Sequence, residues 1–203
     1  MSGVPAPHLL FTAYCSPLTA YQKMNVIETT LPGVLLLEPK VFGDPRGFFL
    51  ESWNRQTFAD LGLDLDFVQD NHSRSAKGVL RGLHYQINDP QGKLVRVTSG
   101  AVFDVAVDLR RSSSHFGQWV GYELSADNQR MLWVPPGFGH GFLVLSESAD
   151  FMYKTTAYYA PQWDRGVRWD DPEIDIQWPL EGAPTLSAKD HVLPLLRDAE
   201  VYT

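Results

Sequence analysis

The sequence predicts an all-β fold, a sandwich or barrel, on three observations. Short runs rich in β-branched and aromatic residues recur from Val34 onward, Gly, Pro, Asn and Asp separate them, and they outnumber stretches of helical period. Strands are expected at 34–38, 48–53, 67–71, 79–86, 94–98, 102–108, 119–125, 131–134, 142–145 and 151–156. Many short strands at that spacing suit two packed sheets or one closed sheet. Within 102–108, alternation places Phe103, Val105 and Val107 on one face and Asp104, Ala106 and Asp108 on the other. Asp104 is expected to line a wet cavity, and Asp108, beside the turn-like run 110–114, to be solvated. One helix is expected at 55–61, with Asn54 as N-cap and Gly62 as its stop. A second is expected at 192–196, although Pro194 weakens it.

With 203 residues, 44% of them hydrophobic, the chain is sized for one substantial core, so one domain is expected over 24–203. Residues 1–23 are expected to be a disordered or non-native extension. Their apolar stretch at 9–14 has no Lys or Arg before it, as a secretory signal requires, and Met24 opens a strand-like pattern. The 17 Lys and Arg against 24 Asp and Glu give a net charge of -7, which disfavours nucleic acid and anionic lipid as partners. An anionic small ligand would have to meet local arginines. The single cysteine, Cys15, rules out an intramolecular disulfide and fits a cytoplasmic protein. No apolar run reaches the ~18 residues of a membrane span.

Of six histidines, His8, His115 and His191 fall in expected loops or termini. His72, His84 and His140 remain as candidates for chemistry. His84 lies in Leu80-Arg81-Gly82-Leu83-His84-Tyr85-Gln86, a strand that otherwise reads as core, and His140 in Pro135-Pro136-Gly137-Phe138-Gly139-His140-Gly141-Phe142. Such a histidine is either a hydrogen-bonded packing residue or a functional group. Metal sites inside β-barrels commonly use a tight His-x-His pair followed by Glu. His84 is followed instead by Tyr85 and Gln86, so no metal is expected. Acid–base chemistry is the other reading, since a neutral histidine takes a proton when a carboxylate orients its second ring nitrogen. Asp190 can be that carboxylate only if the C-terminal segment folds back on the sheets.

The chain from Met24 to about Tyr202 resembles the dTDP-4-dehydrorhamnose 3,5-epimerase family of cupin-fold nucleotide-sugar epimerases. The resemblance is carried by Gly43-Asp44-Pro45-Arg46-Gly47-Phe48-Phe49-Leu50-Glu51, Phe67-Val68-Gln69-Asp70-Asn71-His72-Ser73, Gly78-Val79-Leu80-Arg81-Gly82-Leu83-His84-Tyr85-Gln86, Gln91-Gly92-Lys93-Leu94-Val95-Arg96 and the His140 motif. Tyr153-Lys154 and Tyr158-Tyr159-Ala160-Pro161 complete it. It implies a cupin-like jelly-roll barrel with a few short helices, acting on a dTDP-4-keto-6-deoxyhexose without a cofactor. It also implies that His84 is the base, Asp190 its dyad partner, Tyr153 the acid on the opposite face of the sugar, and Lys93 a neighbour of the C4 oxygen. Asp104, His140 and Tyr159 match positions lining the sugar or nucleotide pocket. Arg46, Phe49, Glu51, Gln69, Asn71 and Arg81 match nucleotide contacts, partly supplied across a homodimer interface.

These residue types suit the reaction on chemical grounds. Removing a proton from carbon beside a ketone is costly: a ten-unit gap to imidazole is about 14 kcal/mol, at about 1.36 kcal/mol per pKa unit. A base therefore needs help. Lys93 can neutralise the enolate oxygen, and a tyrosine hydroxyl can deliver a proton from the far face. Taken singly, Tyr153 reads equally as a packed residue, Lys93 as a loop-end cation, and Arg46 and Arg81 as surface charges; the ordered motifs decide against this. A regular strand would point Arg81 and His84 to opposite faces, so Gly82 is expected to mark a bulge. The loop Ile87-Asn88-Asp89-Pro90 is one residue shorter than is usual in the family, which bears on the reach of Lys93. The rivals are a single-site epimerase and a non-catalytic or metal-dependent sugar-binding cupin.

Overall fold

A computed structural model describes residues 24–203. The expectation for residues 1–23 lies outside the described residues. Two antiparallel sheets carry the fold. The larger contains β1 (Met24–Glu28), β2 (Leu35–Pro39), β5 (Gln69–Ala76), β7 (Lys93–Ser99), β10 (Met131–Val134) and β12 (Ser148–Thr155), in the order β1-β2-β10-β7-β12-β5. The smaller contains β6 (Leu80–Gln86), β8 (Ala101–Asp108), β9 (Trp119–Ser125), β11 (Phe138–Val144) and β13 (Asp164–Gly166), in the order β13-β6-β11-β8-β9. A hairpin of β3 (Val41–Asp44) and β4 (Gly47–Leu50) pairs with neither. The all-β jelly-roll expectation holds in cupin-like form, but each sheet keeps two open edges, so the barrel is not closed.

Side-chain alternation builds three apolar layers. Val95 and Val97 of β7, Leu132 of β10 and Phe151 of β12 meet Ala106 of β8 and Phe138 and Phe142 of β11 between the sheets. Phe151 and Phe142 stack there at 4.1 Å. The outer face of the smaller sheet, with Leu83, Tyr85, Val105 and Val107, is covered by Val167, Ile174, Leu196 and Val201 of the C-terminal segment. Helix α1 (Arg55–Asp60) lays Phe58 on the outer face of the larger sheet, against Leu37, Leu94 and Met131. Asn54 caps it as expected, accepting from the backbone N–H groups of Gln56 and Thr57.

Several expectations are corrected. The helix expected at 192–196 does not form there: the second α-helix, α2 (Ala188–His191), lies before it, capped by Ser187, and Pro194 lies beyond its end. Asp108 is not solvated: it faces inward with Asp104, is fully buried, and accepts hydrogen bonds from Arg110 and Ser113. Burial alone would push its carboxyl up, but those bonds hold it below the usual value. The strand expected at 142–145 starts at Phe138, so the glycine-flanked His140 lies inside a strand.

Candidate active site

The inward-facing residues change character at one end of the gap between the sheets. Lys93 and Tyr153 enter it from the larger sheet, and His84, His140 and Asp104 from the smaller. A cavity of about 320 Å3 opens there, lined by His84, His140, Lys93, Tyr153, Arg81 and Asn71 among others. Base and acid candidates thus belong to different sheets and confront each other across it.

His84 reaches this position through the expected bulge in β6. Opposite it, β11 pairs His140 with His84 and Phe142 with Arg81, so β6 spends one extra residue. Gly82 supplies it at φ +131, and a Cβ there would lie 2.5 Å from Gly141 Cα. Arg81 and His84 consequently both line the cavity. The Arg81 guanidinium donates to Ser75 Oγ at 3.1 Å.

The C-terminal segment does fold back. After β13 it crosses the smaller sheet, and Tyr202 ties it down by donating its hydroxyl to the Gln86 carbonyl at 2.8 Å. Helix α2 then brings Asp190, 2% exposed, to 2.5 Å from His84 Nε2. Ser187 Oγ donates to the other carboxylate oxygen at 2.8 Å. Burial pushes the Asp190 carboxyl up, but the hydrogen bonds and charge of His84 and the Ser187 bond bring it below the ordinary value. The imidazole itself stays a third exposed, so the ring remains open to a ligand.

Lys93 is buried, and its Nζ donates to the His84 carbonyl at 3.2 Å. The short loop before it therefore does not keep it from the site. Burial pushes its ammonium down to about 8, against the pull of Asp164 and Asp104 and with the push of Lys189. Asp104 lies behind His140 and outside the cavity lining, with both carboxylate oxygens 3.0 Å from His140 Nε2. Burial raises the Asp104 carboxyl, while His140 and Lys93 oppose the rise. Burial likewise raises the Tyr153 hydroxyl, opposed by Arg81 and reinforced by Asp164. His84 and His140 are thus each held by a separate carboxylate. Among the described residues no three His, Cys, Asp or Glu side chains gather as a metal-ligand set.

The remaining expected residues divide. Asn71 and Tyr159 line the cavity. Gln69 sits behind them, donating to Asn71 and accepting from the Tyr159 backbone N–H. Arg46 and Phe49 lie on the β3–β4 hairpin and Glu51 just beyond it, all outside the cavity lining. Glu51 is bound to Asn54 and Thr57, and Phe49 is 68% exposed. His72 lines the cavity rim and pairs with Asp150, which the Arg74 fork holds at about 2. Sequence reasoning missed Asp164 and Lys189. They join at the cavity mouth, and Tyr159 donates its hydroxyl to the same Asp164 carboxylate at 3.0 Å. Lys189 directly precedes Asp190, so a helix that delivers the carboxylate delivers the cation too.

The family model for dTDP-4-dehydrorhamnose 3,5-epimerase matches residues 28–198. The dTDP-4-dehydrorhamnose 3,5-epimerase of Pseudomonas aeruginosa is 58% identical over 180 residues, which is 88% of this chain and 99% of that one. A dTDP-6-deoxy-D-glucose-3,5-epimerase of Legionella pneumophila Philadelphia 1, solved with dTDP-4-keto-L-rhamnose, superimposes with a TM-score of 0.85 at 52% identity, covering 86% of this chain and 94% of that one. A 3'-monoepimerase from Streptomyces bikiniensis, solved with dTDP-quinovose, gives 0.79 at 33% identity over 83% and 86% of the chains. With a family match over most of its length and relatives this similar, the chain belongs to the dTDP-4-dehydrorhamnose 3,5-epimerase family.

Proposed function

We propose that residues 24–203 act as one epimerase domain, converting dTDP-4-dehydro-6-deoxy-D-glucose to dTDP-4-dehydro-L-rhamnose by inversion at C3 and C5. The observation that carries this reading is His84 on the smaller sheet, held by Asp190 of α2, lining one cavity with Tyr153 and buried Lys93 of the larger sheet. His84 removes the proton beside the ketone, and Asp190 stabilises the imidazolium that forms. The electron pair moves onto the C4 oxygen, where the Lys93 ammonium neutralises it. Collapse of the enolate takes a proton from the Tyr153 hydroxyl on the opposite face, so the carbon inverts. The substrate's own ketone is the electron sink, and no cofactor is needed.

The anionic diphosphate finds local cations in Arg81 and Lys189, despite the overall charge of -7. Arg46, Phe49 and Glu51 serve the nucleotide from a partner subunit in a homodimer; the unpaired hairpin with Phe48 61% and Phe49 68% exposed supports this part of the reading. Cytoplasmic residence fits a cysteine-poor biosynthetic enzyme. Double inversion is favoured over single by the 58% identity to a 3,5-epimerase against 33% to a 3'-monoepimerase.

The test is solvent exchange. In D2O the enzyme should place deuterium at both C3 and C5 of the 4-keto sugar, as read by NMR, and His84→Ala should abolish it. Exchange at one carbon alone would establish the single-site alternative. No exchange at either would leave a sugar-binding protein.

A further inference from the structure

β12 ends at Thr155, and residues 156–160, which carry Tyr159, follow it outside the strand ladder. Two glutamine side chains hold this stretch instead. Gln86, 3% exposed at the end of β6, donates from Nε2 to the carbonyls of Asp89 at 2.6 Å and Tyr158 at 3.2 Å. Its Oε1 accepts from the Ala160 N–H at 2.8 Å. Gln69 Oε1 accepts from the N–H between them, that of Tyr159, at 3.0 Å. The far end of the ring is tied as well: its hydroxyl donates to Asp164, whose Cα is paired with Gln86 across β6 and β13. Tyr159 is thus anchored at both ends from one position of β6, although it is 54% exposed and lines the cavity.

We infer that Gln86 is a positioning residue for substrate binding, its amide fixing Tyr159 in advance as a wall for the nucleotide sugar; this rests on the reading above, which places that ligand in the cavity. Both N–H bonds of the amide are spent on protein carbonyls, so Gln86 acts on the ligand through Tyr159 rather than by donating to it. A half-exposed tyrosine on a free segment would have to be ordered at the moment of binding, and the entropy lost would be subtracted from affinity. Held beforehand, the ring spares the ligand that cost. The bond to Asp89 extends the same amide to the loop between His84 and Lys93. The Tyr159 segment and that loop therefore share one buried group and keep a fixed spacing.

The experiment removes the amide and asks whether Tyr159 transmits the effect. The probe is dTDP-glucose, which carries a hydroxyl at C4 in place of the ketone and so binds without turnover; its Kd is measured by calorimetry in a double-mutant cycle. Gln86→Met, similar in length and without donors, should weaken binding about fivefold to tenfold. In a Tyr159→Ala background the same change should weaken it less than about twofold, because the ring it positions is gone. In turnover, kcat/KM of Gln86→Met should fall mainly through KM. Amide exchange followed by NMR needs no variant: in the wild-type protein the Tyr159 and Ala160 N–H groups should exchange about 10²-fold or more slowly than in an unstructured peptide. The inference is overturned if folded Gln86→Met binds like wild type, or if it weakens binding equally with and without the Tyr159 ring. It is equally overturned if the wild-type Ala160 N–H exchanges unprotected, and that result alone decides should Gln86→Met not fold. A wild-type enzyme that binds dTDP-glucose with this coupling but places no deuterium at C3 or C5 of the 4-keto sugar defeats the epimerase reading and leaves the role of Gln86 standing.

Discussion

Ser187 donates its hydroxyl to one carboxylate oxygen of Asp190 and leaves the other to His84, so the orientation of the base is set by a residue three positions upstream of its partner. The same hydroxyl accepts from the Asp190 backbone N–H at 3.1 Å, capping a helix of only four residues. Ser187→Ala should lower kcat about tenfold with KM little changed, as expected for losing one hydrogen bond of about 1–1.5 kcal/mol. Ser187→Thr, which retains the hydroxyl, should recover most of that loss in steady-state assays.

Asp190→Asn keeps the shape and removes the charge that stabilises the imidazolium. A fall in kcat of about 10²- to 10⁴-fold is expected. Its effect on stability depends on pH. Asp190 is held below its unfolded value, so its ionisation stabilises the fold above the ordinary carboxylate value of 3.8 and that contribution fades as pH falls through the lowered one. The Tm difference between wild type and variant should therefore shrink in acid below about pH 4.

Lys93 should set the basic limb of the pH–rate profile. With its ammonium at about 8 and the Tyr153 hydroxyl raised above its ordinary 10.0, the first group to lose a needed proton above neutrality is Lys93. kcat/KM should decline through about pH 8 in wild type. Lys93→Arg, charged throughout, should lack that limb even if slower, and Lys93→Met should lose about 10²- to 10³-fold in kcat. Stability should move the other way. The unfolded chain holds the Lys93 proton up to 10.5, so this residue's contribution to stability grows as pH rises from about 8 toward that value.

Gly82→Ala should be among the most damaging single changes away from the chemistry. A methyl at φ +131 is strained and would meet Gly141 Cα at 2.5 Å. A loss of about 3 kcal/mol or more is expected in denaturant titration, summing backbone strain and overpacking.

Phe49→Ser should raise KM for the dTDP-sugar without changing exchange chemistry in the bound state. Paired with analytical ultracentrifugation, it tests whether the exposed hairpin serves a neighbouring subunit. An unchanged KM would place the nucleotide contact elsewhere.

The strands were legible wherever alternation met a core: the limits expected for β9 and β10 match the structure. They were less legible where glycines interrupted. The start of β11 was missed because Gly139 and Gly141 look like loop residues, yet they are small because Leu109 and Arg81 pack against them. Phe67 and Val68 looked like strand but lead into one, with Phe67 set edge-on against Trp53 and Trp133. At the site, His84, Lys93, Tyr153 and Asn71 were readable through their motifs, and all line one cavity. Asp164 and Lys189 were not, because a three-residue strand and a four-residue helix carry no periodicity, and their meeting depends on the C-terminal wrap. The burial of Asp108 was missed for a similar reason. Its partners, Arg110 and Ser113, lie in the very turn that suggested exposure.

Because the two proton-handling side chains grow from opposing sheets, the slot between them is a gauge whose width is set by the stacked rings of Phe142 and Phe151 and the aliphatic side chains beside them. Such a gauge resists tuning by loop variation. Evolution of a different sugar outcome on this scaffold would have to tilt a tyrosine or reshape a wall while leaving that spacer intact. A mutation that thins the spacer should blur stereochemical control before it unfolds the protein.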